Sequence, residues 1–318
     1  MDESAMRVLD PMVANGKEAV TAMGTRKPPA VLSSQPRQLF CYFKQLFAQV
    51  TNPPIDSIRE GVVMSLAGFV GREHNLLDES PLHCGQLRLP HPLLSNADME
   101  RLRTLDRDGF KVCTVSTVYA IDYGGNATKP APGSRLKAAM EAIRTAVELR
   151  VDEGYSLVIL SDRGMAEGHL AVPALLAVAA AHRRLVEAGK RHMTGLVIES
   201  GEAREIHHAS LLVAYGASAV NPWVVFGRMP ALAARASKGE KSPLAAAEGS
   251  RNYVEAVKKG MLKTMSKMGV STIGSYRGGG LYEAVGLSKS LVDELFPGTE
   301  SRIGGIGLPE IEADLMAR

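Results

Sequence analysis

Short apolar runs rich in β-branched residues alternate with amphipathic segments in the chain after about Lys111. The runs occupy residues 112–118, 157–160, 196–198 and 217–220. The segments between them are long enough for helices, and strands that alternate with helices are the pattern of successive βαβ units. The sequence therefore predicts an α/β fold with a parallel sheet built from these units.

The segment between the first two runs has the periodicity of an amphipathic helix. Its apolar face is formed by Leu136, Met140, Ile143 and Val147. Ser134 fits the N-cap of this helix, and Gly154 fits its end, where a positive φ is common. In the next helical segment Pro173 fits the first turn and Gly189 the exit. These start and stop residues support the assignment of two crossover helices.

Residues 1–95 are irregular and rich in proline, apart from one predicted helix that begins near Arg37. Its apolar stripe, spaced at three and four residues, comprises Leu39, Tyr42, Phe43, Leu46, Phe47 and Val50. The sequence Asn52-Pro53-Pro54 ends this helix, because a residue before proline is restricted away from helical geometry. The sequence thus predicts an irregular N-terminal segment before the βαβ units.

The C-terminal part begins with a looser segment, residues 231–247, that is rich in Ala, Lys and Ser. A predicted helix over 251–268 then leads into residues 270–275. We place a domain boundary near Gly260, where the pattern of the preceding units ends.

Polar residues follow the second, third and fourth predicted strands. They are Asp162, Arg163, Glu199, Glu202 and Asn221, and we call this set the strand-end rim. Ligands of open parallel sheets usually bind at this edge, so the rim is a candidate site with Asp162 or Glu199 as general base and Arg163 binding an anion. The competing interpretation is capping and ion pairing, because Glu202 and Glu205 precede a helix whose dipole favours carboxylates. The residues alone favour neither interpretation.

Other motifs give weaker indications. Glu205 and His208 have the spacing of half a carboxylate-bridged metal site, but nothing supplies the second half, so we interpret His207 and His208 as structural and predict no metal site. No Gly-x-Ser-x-Gly elbow is present, which gives acyl transfer little support. The glycine runs 278–280 and 304–307 match neither a dinucleotide fingerprint nor a P-loop, and turns are the better interpretation. We assign no catalytic residue.

Composition and charge exclude several function classes. A net charge of +3 without blocks of like charge, together with 5% aromatic residues, gives no indication of nucleic-acid binding. The longest run without a charge or strong polar group, residues 171–181, is shorter than the roughly 20 residues that span a bilayer. The acidic start lacks the basic and apolar regions of a secretory signal. The three cysteines, Cys41, Cys84 and Cys113, suit a reducing compartment. We therefore expect a cytoplasmic protein without a membrane span.

Several longer motifs support a family assignment. Residues 42–56 read YFKQLFAQVTNPPID and are followed by Arg59-Glu60. Further motifs are LSDR at 160–163, VIESGEARE with a following His-His at 197–208, and YGA at 215–217 with Asn-Pro at 221–222. These motifs closely resemble the central domain of the large subunit of glutamate synthase. Residues 262–278, with MSKMG and SYRG, resemble the start of that family's FMN-binding (βα)8 barrel, so the resemblance covers essentially the whole chain.

The resemblance implies a part of a larger enzyme. The family takes ammonia from glutamine in an N-terminal amidotransferase domain and passes it through a tunnel to an FMN site, where 2-oxoglutarate becomes glutamate. Electrons reach the FMN through an iron–sulfur cluster from NADPH or ferredoxin. The resemblance thus implies a central connector over residues 1–259, an incomplete start of the barrel over 260–318, and the remaining domains or subunits as partners. FMN and the cluster are expected in the complete enzyme, and we expect this chain alone to hold no cofactor and to be inactive.

The chain departs from the family pattern at three points. The family's glutaminase nucleophile is a processed N-terminal cysteine, whereas Met1 is followed by Asp2. A complete barrel takes about 250 residues, far more than follow Gly260. Residues 279–282 read GGLY where the family usually has AQIF, so no flavin-side role is carried over to the glutamine position.

Three residues receive a role from the resemblance. Thr51 and Asn52 lie in the stretch that borders the tunnel entrance in the family, and Met64 lies on the side of the flavin and 2-oxoglutarate. For Met64 the competing interpretation, a buried core methionine, is the stronger one. Two alternatives to a connector stay open. They are an independent α/β enzyme and an amino-acid-binding regulatory module, and both would use the strand-end rim.

Overall fold

The computed structural model describes residues 3–18, 29–46, 55–105, 107, 109–121, 130–237 and 244–318. The helices are α1 (Glu3–Asn15), α2 (Asn96–Arg103), α3 (Ser134–Asp152), α4 (Ala174–Glu187), α5 (Ile206–Ala214), α6 (Trp223–Gly227), α7 (Met229–Ala236), α8 (Ala246–Lys267), α9 (Ile273–Tyr276), α10 (Lys289–Leu295) and α11 (Leu308–Ala317). No helix within the described ranges is long and apolar enough to cross a membrane.

The strands form four sheets in the described part of the chain. They are β1 (Phe43–Gln45), β2 (Gly68–Val70), β3 (Leu87–Leu89), β4 (Val112–Ser116), β5 (Val118–Ala120), β6 (Leu157–Ser161), β7 (His169–Ala171), β8 (Gly195–Glu199), β9 (Ala219–Asn221), β10 (Tyr282–Leu287) and β11 (Glu300–Ile306). The pairs β2 with β3 and β5 with β7 are antiparallel, and β10 joins β1 to β11.

The largest sheet has four parallel strands in the order β4-β6-β8-β9. The strands follow one another in space as they do along the chain, with helices α3, α4 and α5 between them. Every residue of β6 and β8 is buried, as is typical of parallel strands covered on both faces. The predicted α/β fold with a parallel sheet of βαβ units is confirmed.

The two faces of this sheet pack against different layers. One face carries Val158, Leu160, Leu196 and Ile198 and joins the main core beneath α3, α4 and α5. The opposite face carries Leu157, Ile159, Val197 and Ala219 and forms a second core with residues of β2, β3 and α2. The part of the chain with β2, β3 and α2 therefore covers the face of the sheet that α3, α4 and α5 leave free. The N-terminal segment is largely irregular as predicted, except for helix α1, which the sequence pattern did not indicate.

The free edge of β9 is also covered by the N-terminal segment. The N–H of Val220 donates to the carbonyl of Pro92 at 2.7 Å, and the N–H of Leu94 donates to the carbonyl of Val220 at 2.9 Å. These bonds satisfy backbone groups that an edge strand would otherwise leave unpaired. They fix α2, which begins directly after this contact, at the carboxyl end of β9.

The helix predicted for the N-terminal segment is wrong. Residues Leu39–Tyr42 form a 3₁₀ turn, and β1 then pairs antiparallel with β10. Phe43 packs edge-on against Tyr215 and Phe296, with ring centroids 5.4 and 5.0 Å away. Partners far along the chain bury these apolar residues, and such contacts outweigh a local helical spacing. The end of the predicted stripe, residues 47–50, lies outside the described residues.

Helix α3 has the predicted extent but a different cap. Ser134 is its first residue, and Gly133, with φ of 77°, takes the N-cap position. The carboxylate of Glu312 in α11 accepts hydrogen bonds from the N–H groups of Gly133 at 2.8 Å and Leu136 at 3.1 Å. This negative charge lies where the helix dipole favours it. A residue distant in sequence therefore caps α3, and Gly154, with φ of 85°, ends it as predicted.

Helix α8 begins before the predicted start at residue 251 and runs without a break to Lys267. The position expected for a domain boundary, Gly260, therefore lies within a helix. A Cβ at Gly260 would lie 2.2 Å from Cδ1 of Ile206 in α5, so the missing side chain allows the two helices to approach closely. The division into residues 1–259 and 260–318 stays a prediction.

Candidate functional site

The sheet register brings four members of the strand-end rim together. Glu199 and Asn221 end β8 and β9 at paired positions, and Glu199 also pairs with Ser161 at the end of β6. Asp162 and Arg163 follow directly, and the N–H of Asp162 donates to the carbonyl of Glu199 at 3.2 Å. The edge of the sheet thus assembles these side chains as the topology predicts.

Glu199 lies at the centre of the rim, and its side chain has no solvent exposure. Its Oε2 accepts hydrogen bonds from Oγ of Ser161 and Nη2 of Arg103, each at 2.5 Å. Its Oε1 lies 3.0 Å from Nε of Arg163. Two positive groups and a hydroxyl thus surround one negative charge, which compensates the cost of removing that charge from water.

Asp162 is held by donors from the loop after β8 and from α6. Its carboxylate accepts hydrogen bonds from the N–H of Gly201 at 2.8 Å, from Oγ of Ser200 at 3.0 Å and from Nε1 of Trp223 at 2.5 Å. Burial raises the pKa of Asp162 above its usual range, although these three hydrogen bonds oppose the shift. Asp162 therefore ties the two loops that follow β6 and β8 to the start of α6.

Asn221 ties the end of β9 to the start of α2. Its Nδ2 donates to the carbonyl of Leu94 at 2.9 Å and to Oδ1 of Asn96 at 3.1 Å. Asn96 in turn donates from Nδ2 to the carbonyl of Trp223 at 3.2 Å. Because Asn221 is fully buried, its amide group cannot bond to water, and these bonds give its Nδ2 hydrogen-bond acceptors within the protein.

Glu202 lies apart from this cluster and has a different partner from the one expected. Its Oε2 accepts from the N–H of Ala174, the first residue of α4, at 2.9 Å. Its Oε1 lies 3.4 Å from Nη1 of Arg318. Burial raises the pKa of Glu202, and both partners oppose that shift. Glu202 thus caps α4 rather than α5, the helix that follows it in sequence.

The geometry of the rim favours ion pairing and capping over acid–base chemistry. A general base needs a free lone pair within reach of its substrate. The carboxylate of Asp162 accepts from three donors of the chain, and Oε2 of Glu199 accepts from two. Oε1 of Glu199 makes no hydrogen bond among the described residues, but it is buried and lies 3.0 Å from Nε of Arg163. Arg163, the expected anion-binding residue, is paired with Glu199, and its guanidinium carbon lies 5.3 Å from the ring centre of Trp223. The arrangement therefore fixes the loops at the carboxyl edge of the sheet.

Two residues of this cluster, Arg103 and Trp223, are not among the candidates that the sequence indicates. Arg103 lies at the end of α2, far upstream of Glu199, and only the contact of α2 with the sheet brings it there. Trp223, the single tryptophan of the chain, contacts both Asp162 and Arg163. The position of Trp223 directly after the Asn221-Pro222 motif is the one feature of the sequence that could have indicated its role.

Comparison with known proteins gives the family of the chain. Residues 1–288 match the family described as glutamate synthase central domain. The chain belongs to this family. It is similar to the glutamate synthase (NADPH) large chains of Bacillus subtilis, with 37% identity over 316 residues, and of Azospirillum brasilense, with 40% identity over 309 residues. These alignments cover 99% and 97% of this chain but 20% of each relative, so the chain spans about a fifth of their length.

Similarity to solved structures is low. A mandelate oxidase variant aligns over 86% of this chain and 95% of its own, with a TM-score of 0.40 and 12% sequence identity. A score of this size supports no conclusion about the fold. The family match therefore rests on sequence alone, and it agrees with the motifs that suggested glutamate synthase.

Of the three residues to which the glutamate synthase resemblance gives a role, the structure describes only Met64. Met64 is 8% exposed and belongs to the main core, directly before the bridge between Ser65 and Thr272. This burial agrees with the core interpretation, and its flavin-side role stays a prediction. Thr51 and Asn52 lie outside the described residues, so their tunnel role also stays a prediction.

The histidine pair of the family motif has structural partners. The ring of His208 stacks on Phe40 with centroids 4.2 Å apart, and its Nδ1 accepts from the N–H of Arg204 at 3.3 Å. Nε2 of His207 contacts the carbonyl of Phe40 at 3.0 Å. Burial lowers the pKa of both histidines, that of His208 far below its usual range. The pair thus anchors the 3₁₀ turn before β1 to α5.

The two glycine runs considered for phosphate contacts have backbone and packing contacts of their own. In the first glycine run, the N–H of Gly278 donates to Ala214 at 2.8 Å and that of Gly279 to Tyr276 at 3.4 Å, so neither is free for a flavin phosphate. In the second run, a Cβ at Gly305 would lie 2.1 Å from the carbonyl oxygen of a residue in β10, so this glycine serves strand packing. No group of three or more His, Cys, Asp or Glu in the described ranges could hold a metal.

Proposed function

We propose that this chain is the central connector of a glutamate synthase, which shapes the ammonia path between the glutamine-hydrolysing part and the FMN part. The observation that carries the proposal is the match of residues 1–288 to the central domain family. The curated relatives are named glutamate synthases, and this chain corresponds to 14–20% of their length. In this proposal the remaining domains or subunits are its partners, and the chain alone has no activity.

The state of the strand-end rim supports a connector. An independent enzyme would present acid–base groups to a substrate, whereas Asp162 and Glu199 bind donors of their own chain. The rim instead joins three loops at one sheet edge, which gives the connector a fixed surface there. The alternatives of an independent enzyme or an amino-acid-binding module would need Arg163 released from Glu199.

The cofactors are assigned to the complete enzyme. FMN and an iron–sulfur cluster would supply reduction of the imine formed from 2-oxoglutarate and ammonia, and neither group is assigned to residues of this chain. Cys41, Cys84 and Cys113 are free cysteines, separated in sequence more widely than cluster ligands. The compartment proposed for the complete enzyme is the cytoplasm.

The proposed inactivity of the chain alone is tested with the purified protein. We expect no flavin absorption band, and no glutamate formation from glutamine, 2-oxoglutarate and a reductant. A stoichiometric flavin band or measurable turnover by this polypeptide unaided would contradict the connector proposal.

The proposed path for ammonia is tested in a chimera. In the chimera this chain replaces the corresponding fifth of the Bacillus subtilis large chain. The double substitution Thr51→Val and Asn52→Leu then replaces two polar side chains by apolar side chains of similar size. We expect glutamine-dependent glutamate formation to fall at least about tenfold, an effect of roughly 1.4 kcal/mol on the barrier, while formation from added ammonia is retained. Thr145→Val, on the exposed face of α3, is the matched control. Equal loss of both activities would contradict a role of Thr51 and Asn52 in the tunnel.

A further inference from the structure

A second polar cluster lies at the amino end of β8, opposite to the strand-end rim. It borders a cleft of about 400 Å³ between the end of α4, the 3₁₀ turn Arg191–Met193 and the residue after α9. The charged and ionisable residues that line the cleft are Glu73, His182, Arg191, His192 and Arg277. Of these residues, only Arg277 belongs to a motif of the resemblance, SYRG at 275–278, and the resemblance gives it no role.

Arg191 carries a charge without an ion-pair partner among the described residues. Its Nε donates to Nδ1 of His182 at 2.9 Å, and its two Nη groups donate to the carbonyls of Thr194 at 2.7 Å and Gly216 at 2.8 Å. All three acceptors are neutral. Burial and the neighbouring Arg277 lower the pKa of Arg191 to about 10, so the site disfavours the positive charge that it contains.

Arg277 adds a second guanidinium to the same cleft. Its Nε is buried and has no hydrogen-bond partner within the described ranges, which is costly for a charged donor. No described carboxylate lies within ion-pair distance of Arg277, and Glu73 acts on it only through space. Burial lowers the pKa of Arg277. Two half-buried cations thus face one cleft with a single more distant anion.

His182 supplies a further donor. Because its Nδ1 accepts from Arg191, the ring proton lies on Nε2 while the histidine is neutral. Burial, together with Arg191 and Arg277, lowers the pKa of His182 to about 4. The ring can lie this close to the chain because Gly216 has no side chain, since a Cβ there would lie 2.6 Å from Nδ1 of His182.

We propose that this cleft binds a small oxyanion, a carboxylate or a phosphate, between Arg191 and Arg277. An anion would accept the unused donors of Arg277 and offset the repulsion between the two guanidinium groups. A neighbouring cavity of about 500 Å³ shares Glu73 and Arg277 with the cleft and offers room for the rest of a larger ligand. The proposal does not depend on the connector role, and the site lies at the opposite edge of the sheet from the rim.

The test uses titration calorimetry of the full chain with inorganic phosphate and, separately, with succinate at constant ionic strength. We expect saturable binding of at least one probe, and the tighter probe identifies the preferred class. Arg277→Gln should weaken that binding at least about tenfold, or roughly 1.4 kcal/mol. Arg251→Gln removes the same charge from an exposed position on α8 that lines neither cavity and should bind as the unchanged chain does.

A second measurement uses the unchanged chain, so its result does not depend on whether a variant folds. Saturation with the tighter probe should raise the pKa of His182 in the unchanged chain, followed by NMR of the ring, because a nearby anion favours the charged imidazolium. Absence of binding by both probes, equal binding by Arg277→Gln, or binding that leaves His182 unaffected would each overturn the proposal.

Discussion

Oε1 of Glu199 lies 3.0 Å from Nε of Arg163. Glu199 is the last residue of β8, whereas Arg163 lies in the loop after the neighbouring strand β6. The sequence offered both residues as candidate catalytic groups. In the structure each is the other's partner, and Arg103 completes the charge balance of Glu199. Glu199 therefore holds Arg103 of α2 and Arg163 of the loop after β6 at the carboxyl edge of the sheet. We expect the protein to lose stability when the charge of Glu199 is removed.

Glu199→Gln tests this ion-pair cluster. Loss of the negative charge leaves Arg103 and Arg163 without their buried partner, and we expect the free energy of unfolding to fall by about 3 kcal/mol. Urea unfolding at pH 7, followed by circular dichroism, measures the change. Glu300→Gln breaks the exposed pair with Arg302 and should leave stability almost unchanged. If both variants unfold at the same urea concentration, the cluster does not stabilise the fold.

The contact between Asp162 and Trp223 gives a fluorescence signal, since the chain has one tryptophan. Burial raises the pKa of Asp162, so between its unfolded and native pKa values the native state binds more protons than the unfolded state. Asp162 therefore makes the free energy of unfolding fall as the pH rises from the lower to the higher of these two values. We expect an acid titration to change tryptophan emission with a midpoint above the usual aspartate value of about 3.9. Asp162→Asn should abolish this step and Asp152→Asn should retain it; a step unaffected by Asp162→Asn would contradict the assignment.

Gly260→Ala tests whether the predicted boundary position is a packing contact. Alanine favours a helix over glycine by about 1 kcal/mol, yet its Cβ would lie 2.2 Å from Ile206. We expect a net loss of about 1 to 3 kcal/mol from overpacking, measured by thermal and urea unfolding. Ile206→Val added to Gly260→Ala should recover part of the loss, because it changes the facing residue. Gly274→Ala, where a Cβ meets nothing within 4 Å, is the control. Stabilisation by Gly260→Ala would show that α5 and α8 do not approach as described.

The half-buried His182 predicts a pH dependence of stability. Its pKa is lowered from 6.5 to about 4 in the native state, so the unfolded state binds more protons between these values. Stability from this group is therefore present above pH 6.5 and is lost as pH falls towards 4. His182→Asn keeps an acceptor for Arg191 and should flatten the dependence by at most about 3 kcal/mol across this interval.

The matched control for His182 is His169→Asn, at an exposed position on β7. Urea unfolding at several pH values compares the three proteins. An unchanged slope in His182→Asn, or an equal change in His169→Asn, would contradict the assignment.

The sheet could be predicted because its strands carry their own information. Residues 157–160 and 196–198 are short, continuous apolar runs that only a strand buried on both faces accommodates between amphipathic helices. The segment around Phe43 could not be predicted, because its apolar spacing fits a helix while its partners, Tyr215 and Phe296, lie far along the chain. Local pattern decides a structure only where distant contacts do not compete with it.

The composition of the rim could be predicted, but the partners of its residues could not. Strand ends place Asp162, Glu199 and Asn221 at one edge by topology alone. Arg103 reaches Glu199 only because the bonds between residues 92–94 and β9 position α2 there. The sequence therefore identified the charged groups without showing that they neutralise one another.

The central claim is that this chain is a connector that works only within a complete glutamate synthase. The most direct measurement is glutamine-dependent glutamate formation by the chimera that carries this chain within the Bacillus subtilis large chain, compared with the same assay on the chain alone. The account predicts activity in the folded chimera at a level similar to the parent enzyme, and none in the chain alone. A folded chimera without activity, or turnover by the isolated chain, would contradict it.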